Sequence, residues 1–243
     1  MTVLDWLRRD PREAPTLEAG GRTLPITVRR NPQAKRMTLR LAPDGAEVRV
    51  TIPRWTPTAE ALAFARGRAD WLADQLSHVA APVALTDGAE ILFRGACHVV
   101  RHVPESSRRV RLTAGEISLG GPPESLASRL ERWLRTQAHG LLEADLAEYC
   151  LRAGVAAPRL SLGGAQRRWG SCSARGSIRI NWRLVMAPDE VRRSVVAHEV
   201  AHLAHFDHSP AFKAHLRALF EGDLPAADAW LKRHGRSLYA PFG

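Results

Sequence analysis

The sequence predicts an α+β fold, and three observations lead there. Short segments in the first half alternate apolar and polar residues, long segments in the second half space their apolar residues as helices do, and one of those helices carries His198-Glu199-Val200-Ala201-His202.

Residues 1–20 are polar and contain proline, and they read as a lead-in. Thr23–Arg30, Arg36–Leu41 and Ala46–Ile52 alternate and predict a small antiparallel sheet, with Pro43-Asp44-Gly45 as the turn between the last two strands. Thr58–Val79 repeats Leu62, Ala65, Ala69, Leu72 and Leu76 on one face and predicts one helix, with Thr58 as its cap. Ile91–Val103 and Val110–Leu119 predict two further strands, and Gly120-Gly121-Pro122-Pro123 is the clearest break in the chain.

Past that break, Glu124–Ala153 predicts a long helix whose buried stripe runs from Leu126 and Leu130 to Leu146 and Leu151. Short strands are expected at Arg159–Leu162 and Ser177–Trp182. Pro188-Asp189-Glu190 opens a helix, because proline suits the first helical position and acids suit the positive end of the helix dipole. That helix runs through His202, and a last one covers Pro225–His234. The expected organisation is a lead-in over 1–20, a β-rich region with one helix over 21–122, and a domain over 123–243 that carries the histidine motif.

Composition narrows the function classes. A chain of 243 residues that is 45% hydrophobic and 25% charged can bury a core without crosslinks. Its apolar runs are too short for a membrane span, and its start lacks the pattern of a secretory signal, so a cytoplasmic protein with no membrane partner is expected. Cys97, Cys150 and Cys172 are odd in number and form no Cys-x-x-Cys pair, which argues for free thiols. The net charge of +10 admits a nucleic-acid partner. Against that, all the lysines are Lys35, Lys213 and Lys232, and the arginines are scattered with no block of like charge.

The helix motif carries the chemistry. Residues i and i+4 lie one turn apart on one face, so His198 and His202 can reach the same ion, while Glu199 sits beside it as a base for a metal-bound water. Val195, Val196, Val200 and Leu203 bury the helix. His208 follows six residues after His202, a spacing that supplies a third ligand and leaves a tetrahedral zinc one open position. His205 is the rival, because on an unbroken helix it would point the same way as His198. The turn is assigned to His205–Asp207, with His205 entering the left-handed region, and the ligand to His208. His78, His98, His102, His139, His215 and His234 have no ligand spacing.

Around this helix stand Arg167-Arg168-Trp169-Gly170-Ser171-Cys172-Ser173, Ile178-Arg179-Ile180-Asn181-Trp182-Arg183-Leu184, Ala187-Pro188 and His208-Ser209-x-x-Phe212. Their order resembles the YgjP-like metallopeptidase family, a zincin-like group similar to the SprT and WLM domain proteases. The match is close over 165–212 and extends loosely to residue 25 through Arg29-Arg30-Asn31-Pro32 and Met37-Thr38-Leu39. Val200 and Ile180 stand where leucine is usual.

The resemblance implies a zincin-like catalytic domain over 123–243. It implies one Zn2+ per chain held by His198, His202 and His208, with Glu199 catalytic. The expected function is hydrolysis of peptide bonds in a peptide or protein substrate by a Glu-activated, zinc-bound water. The alternative is a nucleic-acid-associated protein, including a DNA-linked SprT-like protease. Ile178–Trp182 is expected to be the edge strand of the cleft, Trp169 and Trp182 to pack, Arg168 to lie at the surface with oxyanion stabilisation as its rival role, and Cys172 to stay off the metal.

Overall fold

The computed structural model describes residues 15–42, 45–77, 85–166 and 168–242. The chain divides into two compact units, residues 1–81 and 82–243, and each has its own core.

The first unit holds strands β1 (Thr16–Ala19), β2 (Arg22–Arg30), β3 (Thr38–Leu41) and β4 (Val48–Ile52), then helices α1 (Thr58–Arg66) and α2 (Ala69–Ser77). Thr16–Ala19 was expected in the lead-in; it is a strand because Leu17 and Ala19 alternate inward opposite β2. The sheet order is β1-β2-β4-β3, and β2 pairs with β4 in parallel. The expected antiparallel sheet is therefore mixed. The β3–β4 pair is antiparallel, and β4 rather than β3 lies next to β2, which forces the parallel pairing. Of the expected turn, Gly45 donates to the Ala42 carbonyl at 2.8 Å, while Pro43 and Asp44 lie outside the described residues.

The helix expected over Thr58–Val79 is two helices. Glycine is among the weakest helix formers, and at Gly67 the ladder tightens, with Arg68 N donating to Ala65 O at 3.1 Å before α2 begins. His78 and Val79 lie outside the described residues.

In the second unit, β5 (Glu90–Phe93), β6 (Ala96–His102), β7 (Arg111–Thr113) and β8 (Glu116–Leu119) form a sheet in the order β5-β6-β8-β7. The two strands expected here are thus four. The first breaks at Arg94-Gly95, where both residues have positive φ (51° and 79°), the geometry of a tight hairpin turn. These strands bury Ile91, Phe93, Val100, Ile117 and Leu119 in the same core as the long helix α3 (Leu126–Ala153). The compact division thus falls at 81/82, and the break expected near 122 is internal to the second unit.

Along α3, Leu126, Leu130, Leu134, Ala138, Leu142 and Leu146 are buried as expected, but Leu151 is 82% exposed and Tyr149 and Cys150 turn inward instead. A three-stranded sheet follows, β9 (Leu160–Gly163), β10 (Gly170–Cys172) and β11 (Ile178–Asn181), in the order β10-β11-β9. Helices α4 (Asp189–Ala204), α5 (Pro210–Leu219) and α6 (Leu224–His234) follow, and a 3-10 turn over Gly235–Tyr239 comes after α6. Among the described residues, no helix is long and apolar enough to cross a membrane.

A buried ion network fixes α4 against α3. Arg192 and Asp145, 3% and 4% exposed, pair at 2.7 Å. Arg192 also reaches Asp189, which Arg94 grips from the β5–β6 turn at 3.0 Å. One helical step on, Arg193 binds Glu148 at 2.7 Å and Glu221 at 2.6 Å, and the Tyr149 hydroxyl donates to Glu221 at 2.9 Å. Burial alone would raise the Glu221 carboxyl, but its own backbone N–H with Arg193, Tyr149 and Arg152 brings it down to about 2.

Candidate metal centre

Helix α4 is buried along Val191, Val195, Val196, Val200 and Ala201, and that packing sets which face reaches the cleft. His198 and His202 lie one turn apart on a partly buried flank, and Glu199 is 5% exposed beside them. Helix α4 ends at Ala204. His205 then leaves in an extended conformation (φ −135°, ψ 106°), so the left-handed turn expected at this residue does not form. Phe206 and Asp207 carry the chain round to His208.

The turn brings the His208 Nε2 to 3.3 Å from the His198 Nε2, and the His202 Nε2 lies 3.1 Å from the same atom. One donor atom from each of the three imidazoles falls within 4.8 Å of the others. A tetrahedral zinc with bonds of about 2.0–2.1 Å separates its nitrogen ligands by about 3.3 Å. The constellation therefore fits one small divalent cation. The His205 ring turns away from it, edge-on to His215 at 5.6 Å.

Protonation favours the same reading. Burial first, then neighbouring His202 and His208, push the His198 imidazole down to about 4, so near neutral pH its lone pair is free. The His202 Nδ1 lies 2.9 Å from the His205 carbonyl, which can only accept; the proton is on Nδ1, and Nε2 points its lone pair at the site.

Phe212 underlies all three rings. Its ring stacks on His202 at 4.5 Å and 27°, and meets His198 and His208 edge-on at 5.0 and 4.9 Å. It projects from α5, a helix absent from the sequence expectation. Ser209 caps that helix by accepting from Phe212 N at 3.3 Å, Pro210 starts it, and Phe212, Leu216 and Leu219 supply its buried stripe, so the signal was present.

Glu199 faces β10. Any side chain at Gly170 would run into the Glu199 carboxylate, so glycine is required for this approach. Burial pushes Glu199 up to about 7, against the backbone N–H of Cys172 and the charge of exposed Arg168. The strand beside the site is therefore β10, an edge strand, and not Ile178–Trp182: β11 lies in the middle of its sheet. The Cys172 thiol is held protonated by burial and by Glu199, and it donates to the Ser173 carbonyl rather than joining the histidines. Trp182 is fully buried, with the Arg135 guanidinium 4.7 Å from its ring. Trp169 packs on Tyr239 at 5.8 Å and also walls a cleft. That cleft, about 410 Å³, opens from His198 and Glu199 toward Val195, Leu216, Leu224 and Leu231, with Asp228 among its lining residues.

A family model described as YgjP-like, metallopeptidase domain, matches residues 35–234 of the chain. Searches of curated proteins and of solved structures found no significant match.

Proposed function

Since the chain belongs to the YgjP-like metallopeptidase family, we propose that it is a zinc peptidase in which His198, His202 and His208 hold one Zn2+ and Glu199 is the general base. The observation that carries this reading is the convergence of three imidazoles on one point, with a buried carboxylate beside them. A metal held only for structure has no use for such a base.

Zinc bound there supplies Lewis acidity, polarising the scissile carbonyl and lowering the pKa of water. Glu199 then accepts the proton of the attacking water on its carboxylate and delivers it to the leaving amine nitrogen. Burial holds the Glu199 carboxyl up at about 7, and a cation on the three histidines would favour its ionised, basic form. The Cys172 N–H holds that carboxylate toward the cleft. An extended peptide adds to the free edge of β10 by backbone hydrogen bonds, and a bulky apolar side chain next to the scissile bond enters the cleft beside Leu216, Leu224 and Leu231. Zincin-like architecture is part of this proposal, and so is a cytoplasmic setting, which suits the free thiols Cys97, Cys150 and Cys172.

Metal analysis with a casein assay tests the proposal. The purified protein is expected to bind about one zinc per chain through its three-histidine site and to degrade casein, with activity lost to a chelator and restored by zinc. Protein that stays metal-free when zinc is offered, or hydrolysis indifferent to the chelator, would overturn it.

A further inference from the structure

The first unit carries a surface that the metal centre does not use. Helices α1 and α2 cover one face of its sheet, where Leu24, Ile26, Val48, Val50 and Ile52 meet Ala61, Ala65, Leu72 and Leu76. Strand residues alternate, so the other face carries Thr27 and Arg29 from β2, Arg49 and Thr51 from β4, and Thr38 and Arg40 from β3. The register sets Arg29 beside Thr51 and Thr38, and Thr27 beside Arg49 and Arg40. At one end of this face the exposed Lys35, Arg36 and Arg54 gather, because β3 begins and β4 ends there, while Arg30, one step past Arg29, falls on the helix side.

The two stretches that build the face, residues 29–41 and 48–59, contain seven basic residues and no acid. The charge that looks scattered along the chain is collected by strand pairing. Glu47 and Glu18 sit toward the opposite end, where Glu47 takes Arg49 and the Thr27 hydroxyl and Glu18 takes the Thr23 hydroxyl, and exposed Glu60 stands in the first turn of α1.

Among those end residues, Trp55 is 72% exposed, and its loop is held in place. Arg30 Nη1 donates to the carbonyls on either side, Arg54 O at 3.1 Å and Thr56 O at 2.7 Å, and Nη2 donates to the Thr58 hydroxyl at 3.0 Å. A rigidly displayed indole beside arginine forks matches two features of one ligand class, a base to stack and phosphates to pair. A lipid surface would call for a wider apolar patch than one indole, and an acidic peptide has no use for the ring.

We propose that the open face of β2, β4 and β3, with Trp55 at its end, binds single-stranded nucleic acid. The bases stack on Trp55, and Arg29, Arg36, Arg40 and Arg54 pair with the phosphates. This does not depend on the peptidase reading.

The test is fluorescence anisotropy of the full chain with short labelled single-stranded DNA and RNA over a salt series, with polyglutamate and anionic phosphatidylglycerol vesicles as competitors. Binding is expected at low salt and weakens steeply as salt rises. Trp55→Ala lowers affinity by about ten-fold without changing the salt slope, Trp55→Phe restores most of it, and Arg29→Ala or Arg36→Ala each reduce the slope by about one. These residues are exposed, and unchanged thermal unfolding confirms that the variants fold. No binding at low salt, binding indifferent to Trp55 and Arg29, or stronger competition by polyglutamate or vesicles than by unlabelled oligonucleotide overturns the proposal.

Discussion

His202 donates its Nδ1 proton to the carbonyl of His205 at 2.9 Å. His205 is thus part of the site through its backbone, while its ring lies against His215. That division predicts different costs for neighbouring histidines. His208→Ala removes a proposed ligand, and its zinc affinity is expected to drop by more than the roughly 10–100-fold that losing a ligand's supporting partner costs. His205→Ala keeps the carbonyl and is expected to stay near the parent value. Competition with a zinc-binding dye measures both, and the reverse order would make His205 the ligand.

Phe212 touches all three imidazoles without offering a ligand atom. Phe212→Ala is expected to weaken zinc binding and to cost about 3–5 kcal/mol of stability by leaving a void under the rings. Phe212→Leu, which refills most of that void, should recover most of the stability but less of the zinc affinity, since the flat stacked support for His202 is lost. Denaturant unfolding with and without zinc separates the two effects. Equal recovery of both would reduce Phe212 to filler.

The ion network predicts how the second unit responds to acid. Glu221 is held at about 2 when folded, against an ordinary value of 4.5, so it contributes stability that is fully present above about 4.5 and fades as pH falls toward 2. Glu221→Gln should flatten the loss of stability over that window. Asp145→Ala takes the buried carboxylate from buried Arg192, leaving it the partly exposed Asp189, and should cost about 3 kcal/mol at neutral pH. Unfolding followed across pH checks both; an unchanged acid profile in the Gln variant would show that the network does not govern it.

The cleft predicts selectivity. Leu231→Trp narrows it and should shift cleavage from bulky apolar to small side chains by about ten-fold in relative rate, as profiled on a peptide mixture. Cleavage that ignores side-chain size in the parent protein would leave the cleft without this role.

What could be read from the sequence follows from geometry local to the chain. His198 and His202 share a face on any helix, so their pairing needed nothing else, and the approach of His208 followed from its spacing. The chain path was harder. His205 leaves the helix in an extended conformation because the turn is spread over the next two residues, which no single residue type announces. Three residues at Gly170–Cys172 are too few to show alternation, so the strand facing Glu199 was invisible, although Gly170 carries the reason it can approach. Asp145 and Arg192 are 47 positions apart, and only the fold pairs them; the hint was a carboxylate between Leu142 and Leu146 on the buried stripe of α3. Parallel pairing of β2 with β4 leaves no local mark at all.

The central claim rests on Glu199, and Glu199→Gln tests it most directly. The amide nearly matches the carboxylate in size, and Gly170 still leaves it room. It cannot accept a proton from water. Zinc content and casein hydrolysis should be measured on the same preparation. The account predicts zinc retained at the parent stoichiometry and hydrolysis reduced by roughly two to four powers of ten. Hydrolysis at the parent rate with zinc bound would contradict it.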